Sequence, residues 1–169
     1  MPEEKPAKDF VRYYVKPHHN KSRAVTDADM DKVAKAAHIM YNLCYTQRGL
    51  YPGGYAVAHS QIAVKDPLNF FATVDKQIIV NPKIVNHVKY TVESEEGCLS
   101  YPDNLMIMVP RWHKIEVEYQ EIKAQRREGE EGIRFILSEV LTKKLSGKEA
   151  FIWQHEIDHA DGKFVYDKI

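Results

Sequence analysis

Near the end of this 169-residue chain, Gln154-His155-Glu156-Ile157-Asp158-His159 sets two histidines four residues apart, with a glutamate beside the first. On a helix that spacing puts both imidazoles on one face, where they can share a metal ion, and leaves Glu156 beside it as a proton carrier. Helix formation is favoured locally: Ser146 and Glu149 have capping-box spacing, and Ala150, Phe151, Ile152 and Trp153 supply an apolar face. A hydrolytic metal site takes three protein ligands and keeps one position for water. Beyond His159 the only acidic side chains are Asp161 and Asp167, so the third ligand is expected upstream. Cys98, in Glu95-Glu96-Gly97-Cys98-Leu99-Ser100-Tyr101-Pro102, is the candidate, because a thiolate is a better ligand than a carboxylate for Zn or Fe(II). A metal held by three such ligands lowers the pKa of a bound water and polarises a carbonyl, while Glu156 takes the water proton and returns it to a leaving amine. Two hydrogen-bonded histidines on an amphipathic helix are the simpler alternative.

Glu96-Gly97-Cys98-Leu99-Ser100 and Gln154-His155-Glu156-Ile157-Asp158-His159 resemble the second and third signature motifs of the peptide deformylases. These are metal-dependent hydrolases that remove the formyl group from the N-terminal methionine of new chains. Their first motif, Gly-x-Gly-x-Ala-Ala-x-Gln in outline, is matched in part by Gly54-Tyr55-Ala56-Val57-Ala58-His59-Ser60-Gln61. The resemblance implies that the Gln61 amide and the Leu99 backbone N–H are oxyanion donors. It also implies that Glu96 orients the site or the substrate, and that Gly54, Tyr55, Ala56, Val57, Phe151 and Ile152 meet the peptide. Read alone, Gln61 is a strand-end glutamine with a solvated amide. Arg111, in a Val-Pro-Arg context, either pairs with Glu96 or is a plain surface arginine, and Asp158 either faces solvent or supports a ligand. The resemblance implies Fe(II) as the metal in the cell, whereas Cys and His suit Zn, Ni and Co as well. It further implies formylated nascent peptides as partners, met near the ribosome exit.

The chain departs from the family in four places. Ala56 replaces the second glycine of the first motif and His59 its second alanine, and the added bulk is expected to narrow the peptide cleft. Ala160 replaces a leucine, and Lys148 stands where an apolar side chain lines the methionine pocket. A deformylase-like metalloprotein with another amide substrate, or with little activity, is therefore the second reading. A zincin-type endopeptidase is disfavoured by Cys98 and by the lack of a downstream ligand.

Around these motifs the chain reads as one domain, 1–169, with a poorly structured lead-in over 1–25. The fold class expected is α+β: mostly antiparallel β-sheets packed around a C-terminal metal-binding helix, with one N-terminal amphipathic helix. That first helix is capped at Thr26 and shows Met30, Val33, Ala37, Met40 and Cys44 at helical spacing to about Thr46. A Gly/Pro turn follows over 49–54. Strands are expected over Tyr55–Val64, Phe70–Val74, Gln77–Val80, Ile84–Val92, Leu105–Val109, Lys114–Ile122 and Ile133–Leu141, with a hairpin at Asp75-Lys76 and a solvated turn over Lys123–Gly132. Charge is balanced, 24 basic residues against 24 acidic, so neither nucleic acid nor an anionic membrane is an expected partner. No apolar run reaches membrane-spanning length, and Met1–Asp9 is too charged for a secretory signal. Two cysteines, one assigned to metal, suggest a reducing, cytoplasmic setting.

Overall fold

A computed structural model describes residues 19–47, 55–63, 65–100, 106–126, 129 and 132–168. The turn at 49–54, including Gly54, lies outside the described residues. A single 3-10 turn (Asp27–Asp29) leads into α1 (Met30–Gln47), and the Asp29 carboxylate reaches back to the Thr26 N–H at 2.9 Å. Val33, Ala37, Met40 and Cys44 are buried, as the helical spacing requires.

Five antiparallel strands form the main sheet in the order β1-β2-β3-β6-β9. They are β1 (Ala56–Ala58), β2 (Phe70–Thr73), β3 (Ile78–His87), β6 (Lys114–Gln120) and β9 (Leu141–Ser146). Two ribbons accompany it: β4 (Thr91–Glu96) with β5 (Ile107–Trp112), and β7 (Ile122–Gln125) with β8 (Arg134–Leu137). The second helix, α2 (Gly147–Ala160), follows β9 directly.

Strand alternation divides the core between the two helices. Val57, Phe70, Ala72 and Val80 pack with Val33, Met40 and Leu43 of α1, whereas Ala58, Phe71, Ile79, Ile115, Val117 and Leu145 pack with Ala150 and Trp153 of α2. The α+β class is the one expected, with α2 lying on the opposite sheet face from α1.

Several boundaries differ from those the sequence suggests. The expected strand over 55–64 stops at Ala58, and His59–Gln61 makes a 3-10 turn. Conversely, the Asn81-Pro82 break does not end β3. Asn81 adopts φ 50, the ladder to β6 shifts register there, and the Asn81 amide bonds Val25 N, Val25 O and Gln120 Oε1. The run 84–92 is therefore divided, its first part closing β3 and its last beginning β4. Part of the expected solvated turn over 123–132 is strand β7, paired with β8. Where one strand was expected over 133–141, Ser138 turns back to bond Glu121 through its N–H and hydroxyl, and the chain restarts as β9 beside β6. Residues 19–25, expected to belong to the loose lead-in, are tied down. Ser22 donates to Ala160 O, Arg23 and Asn69 exchange backbone bonds with neighbours across the 65–69 loop, and Val25 is buried.

Candidate metal centre

Two elements bring the three predicted ligands together. Cys98 follows the end of β4, while His155 and His159 lie one turn apart on α2. The expected capping box at the start of α2 is absent. Ser146 caps nothing with its side chain, and Glu149 pairs with Lys143 at 2.6 Å instead. The helix is bracketed by Gly147 (φ 57) and Gly162 (φ 74). A Cβ on Gly162 would also collide with the His19 carbonyl, so this turn, which directs the chain past His159, requires glycine.

Cys98 Sγ lies 3.3 Å from His159 Nε2, which lies 3.0 Å from His155 Nε2, and the three donor atoms fall within 4.8 Å of one another. The far side of each ring fixes its tautomer. His155 Nδ1 meets Glu96 Oε2 at 2.9 Å and His159 Nδ1 meets the Lys163 carbonyl at 3.2 Å. With an ionised carboxylate and a carbonyl as partners, both acceptors, each Nδ1 carries the proton and each Nε2 offers a lone pair to the shared point. Two lone pairs and a thiol sulfur converging in a buried space are mutually unfavourable without a cation between them. The donor set therefore fits a divalent metal with a further coordination position.

Electrostatics agree. Burial pushes His155 down, yet hydrogen bonds to Cys98 and Glu96 outweigh it and hold the imidazole up at about 10, so Nε2 attracts a cation, and a proton competes with a metal for its lone pair. Burial opposes ionisation of Glu96 as well, but Arg111 and His155 overcome it and hold the carboxyl at about 2. Arg111 grips both Glu96 oxygens at 2.7 and 2.8 Å and reaches Asp158 at 2.6 Å. It is thus an ion-paired core residue and not a surface arginine, and Asp158 supports the ligand helix instead of facing solvent alone.

Glu156 is buried, and burial raises its carboxyl to about 7, with Glu96 adding to the shift. Its Oε2 has no hydrogen-bond partner among the described residues, an orphan acceptor next to the ligand trio. Gln61 is also buried, not a solvated strand-end residue. Its Oε1 accepts from Ala58 N at 3.0 Å, which turns the NH₂ group towards Cys98 Sγ (3.7 Å) and Ser100 Oγ (3.2 Å). Leu99, next to Cys98, is buried.

A model of the family described as polypeptide deformylase matches residues 7–169. The chain belongs to that family. Peptide deformylase 2 of a Nostoc species is 40% identical over 91 residues, 54% of this chain and 42% of the relative. The Thermus thermophilus peptide deformylase is 36% identical over 92 residues, again 54% of this chain and 40% of the relative. By sequence the chain thus spans less than half the length of the curated relatives it matches. The crystal structure of the Thermotoga maritima peptide deformylase matches with a TM-score of 0.68 and 26% identity, covering 89% of each chain.

The atypical first motif of this deformylase-family chain behaves differently from expectation. His59 does not narrow a cleft: it is buried, accepts the Leu68 N–H on Nδ1 at 2.8 Å and stacks on Phe70 with centroids 4.8 Å apart. Burial lowers its pKa to about 4, so it is a neutral core residue. Val57 also points into the core, leaving only its main chain for any ligand, while Ala56, Phe151 and Ile152 are half-buried and Tyr55 is 38% exposed. Ala160 is buried, and its carbonyl takes the Ser22 N–H at 2.7 Å. Sequence reasoning missed three supports. Ser100 faces Gln61, Ser60 Oγ donates to the His159 carbonyl at 3.0 Å, and the Gln154 amide clamps both Trp112 backbone groups at 3.0 and 2.8 Å. All three lay inside the quoted motifs, where a polar side chain next to a candidate site residue was the available signal. No described helix is long and apolar enough to cross a membrane.

Proposed function

We propose that this chain removes the N-formyl group from the N-terminal methionine of newly made proteins, with one divalent metal held by Cys98, His155 and His159. The observation that carries this reading is the convergence of those three donor atoms beside a Glu156 carboxylate oxygen that has no partner among the described residues, in a chain of the deformylase family. Bound there, a divalent cation supplies Lewis acidity towards a water and towards the formyl carbonyl. Glu156 accepts the proton of the attacking water and delivers it to the nitrogen of the departing peptide. The Gln61 amide, aimed at the same point, and the Leu99 N–H donate to the oxygen that gains charge in the transition state. Glu96, fixed by Arg111, holds the His155 ring in its ligating tautomer. Ala56, Val57 and Tyr55 on one side and Phe151 and Ile152 on the other receive the peptide. Iron(II) is the metal we assign in the cell, with Zn, Ni and Co as substitutes.

The test is release of formate from formyl-Met-Ala by protein loaded with Fe(II) or Ni under reducing conditions. Wild type is expected to turn over, Glu156→Ala to keep most of its metal and lose at least about a hundredfold in turnover, and Cys98→Ala to lose the metal. Metal-replete, folded wild type that releases no formate would end this reading.

A further inference from the structure

The two walls of the centre run outward in company. Gln61 and His155 stand at the centre, and Tyr55 and Lys148 precede them by six and seven residues. Lys148, Ile152, His155 and His159 share one stripe of α2, so Lys148 stands about 10 Å along the axis from His155 on the ligand-bearing face. Tyr55 immediately precedes β1, one edge strand of the sheet, and Ala56 and Ala58 of β1 pack against Ala150, Phe151 and Trp153 of α2. At the outer end the walls meet: Lys148 Nζ donates to Tyr55 Oη at 2.6 Å and lies 3.9 Å from the ring centre. Both side chains are exposed. No carboxylate pairs with Lys148 among the described residues, and the adjacent Glu149 is taken by Lys143.

We infer that Lys148 and Tyr55 form a carboxylate-binding rim, so that the preferred peptide carries an acidic side chain within its first three residues. The inference rests on the reading of the centre as one that acts on N-formylated peptides. The phenol oxygen accepts from lysine, which leaves its O–H to donate, and the ammonium keeps two further N–H groups. One carboxylate can therefore take a charge-assisted bond from each. A peptide whose formyl end lies at the metal advances about 3.3 Å per residue when extended, so its second or third side chain comes level with the rim.

The experiment compares formyl-Met-Ala-Glu-amide and formyl-Met-Glu-Ala-amide with their glutamine counterparts on the metal-loaded enzyme. Glutamate is expected to raise kcat/KM by about fivefold at one of the two positions, chiefly through KM, which is the size of an exposed ion pair. That ratio should fall to about one in Lys148→Met and below one in Lys148→Glu, and persist in Lys144→Met, a control on the opposite edge strand. Equal kcat/KM for the two peptide types in wild type, or a preference that survives Lys148→Met, overturns the rim. Calorimetric binding of the acetylated counterparts separates this from the catalytic reading. If no formate is released but glutamate still binds more tightly and loses that advantage in Lys148→Met, the deformylase reading fails and the rim stands. Absence of formate together with indifferent binding removes both.

Discussion

Arg111 and Arg23 each grip two acidic side chains, in opposite surroundings. The Arg111 side chain is 2% exposed between Glu96 (9%) and Asp158 (18%), whereas Arg23 is 44% exposed between Asp29 (7%) and Asp66 (49%). The first cluster joins β4, β5 and α2 behind the metal centre. The second joins the segment before α1 to the 65–69 loop. Both have good geometry, with bidentate contacts of 2.7 and 2.8 Å in one and of 2.9 and 2.8 Å in the other. Distance alone would rank them as equals. Burial separates them: an ion pair out of water gains more from its partner and loses more when the partner goes, while solvent screens an exposed pair.

The strongest way to break this comparison is Arg111→Leu. It removes the buried guanidinium that Glu96 and Asp158 share behind His155 and is expected to lower stability by about 3–5 kcal/mol, read from denaturant unfolding of the metal-free protein. A loss below about 1 kcal/mol would mean that the cluster is solvated and that its contacts say little about the site. Glu96→Gln is the gentler probe, since the shape stays and only the strong acceptor for His155 is lost. Metal affinity should fall by about 10- to 100-fold in a chelator competition.

On the other cluster, Asp29→Ala removes the carboxylate that caps the start of α1 and should cost about 1–2 kcal/mol near neutral pH. Its pH dependence can be signed. Arg23 holds the Asp29 carboxyl well below the usual range, so its contribution is complete above the unfolded value near 4 and fades as pH falls through the folded one. The gap between wild type and Asp29→Ala should therefore narrow in acid. A gap that widened there would reverse the assignment. The smallest effect is expected for Lys32→Ala, which removes only the exposed contact to Asp66 at 3.0 Å. Its thermal midpoint should stay within about 1 °C of wild type.

The difference between the clusters also explains what could be read in advance. Arg111 was ambiguous in the sequence because a Val-Pro-Arg run says nothing about where a guanidinium ends up. Its partners Glu96 and Asp158 lie 15 and 47 residues away, and only the packing of β4–β5 on α2 makes the three meet. The cap at Thr26 was legible because its partner, Asp29, stands only three residues on. His59 shows the converse failure. A motif position suggested a side chain in the cleft, but the 3-10 turn at 59–61 rotates that residue into the core and leaves Gln61 pointing at the centre.

Local order belongs to the sequence, then: the 3.6-residue stripe that buries Val33, Met40 and Cys44, the alternation that sends Phe70 and Phe71 to opposite sheet faces, and the four-residue step that aligns His155 with His159. The chemistry of the ligand set belongs there too, since sulfur and imidazole nitrogen are fixed by residue type. Tertiary structure decided the rest. It brought Cys98 to His159 across 61 residues, carried β3 through Asn81-Pro82 by bonding that amide to Val25, and set Lys148 against Tyr55 from 93 residues away. The physical reason is one of range. Helical and strand periods act over a few residues and are written in the order of side chains, whereas long-range pairs form only when distant surfaces bury each other, and no short stretch of sequence records which surfaces those are.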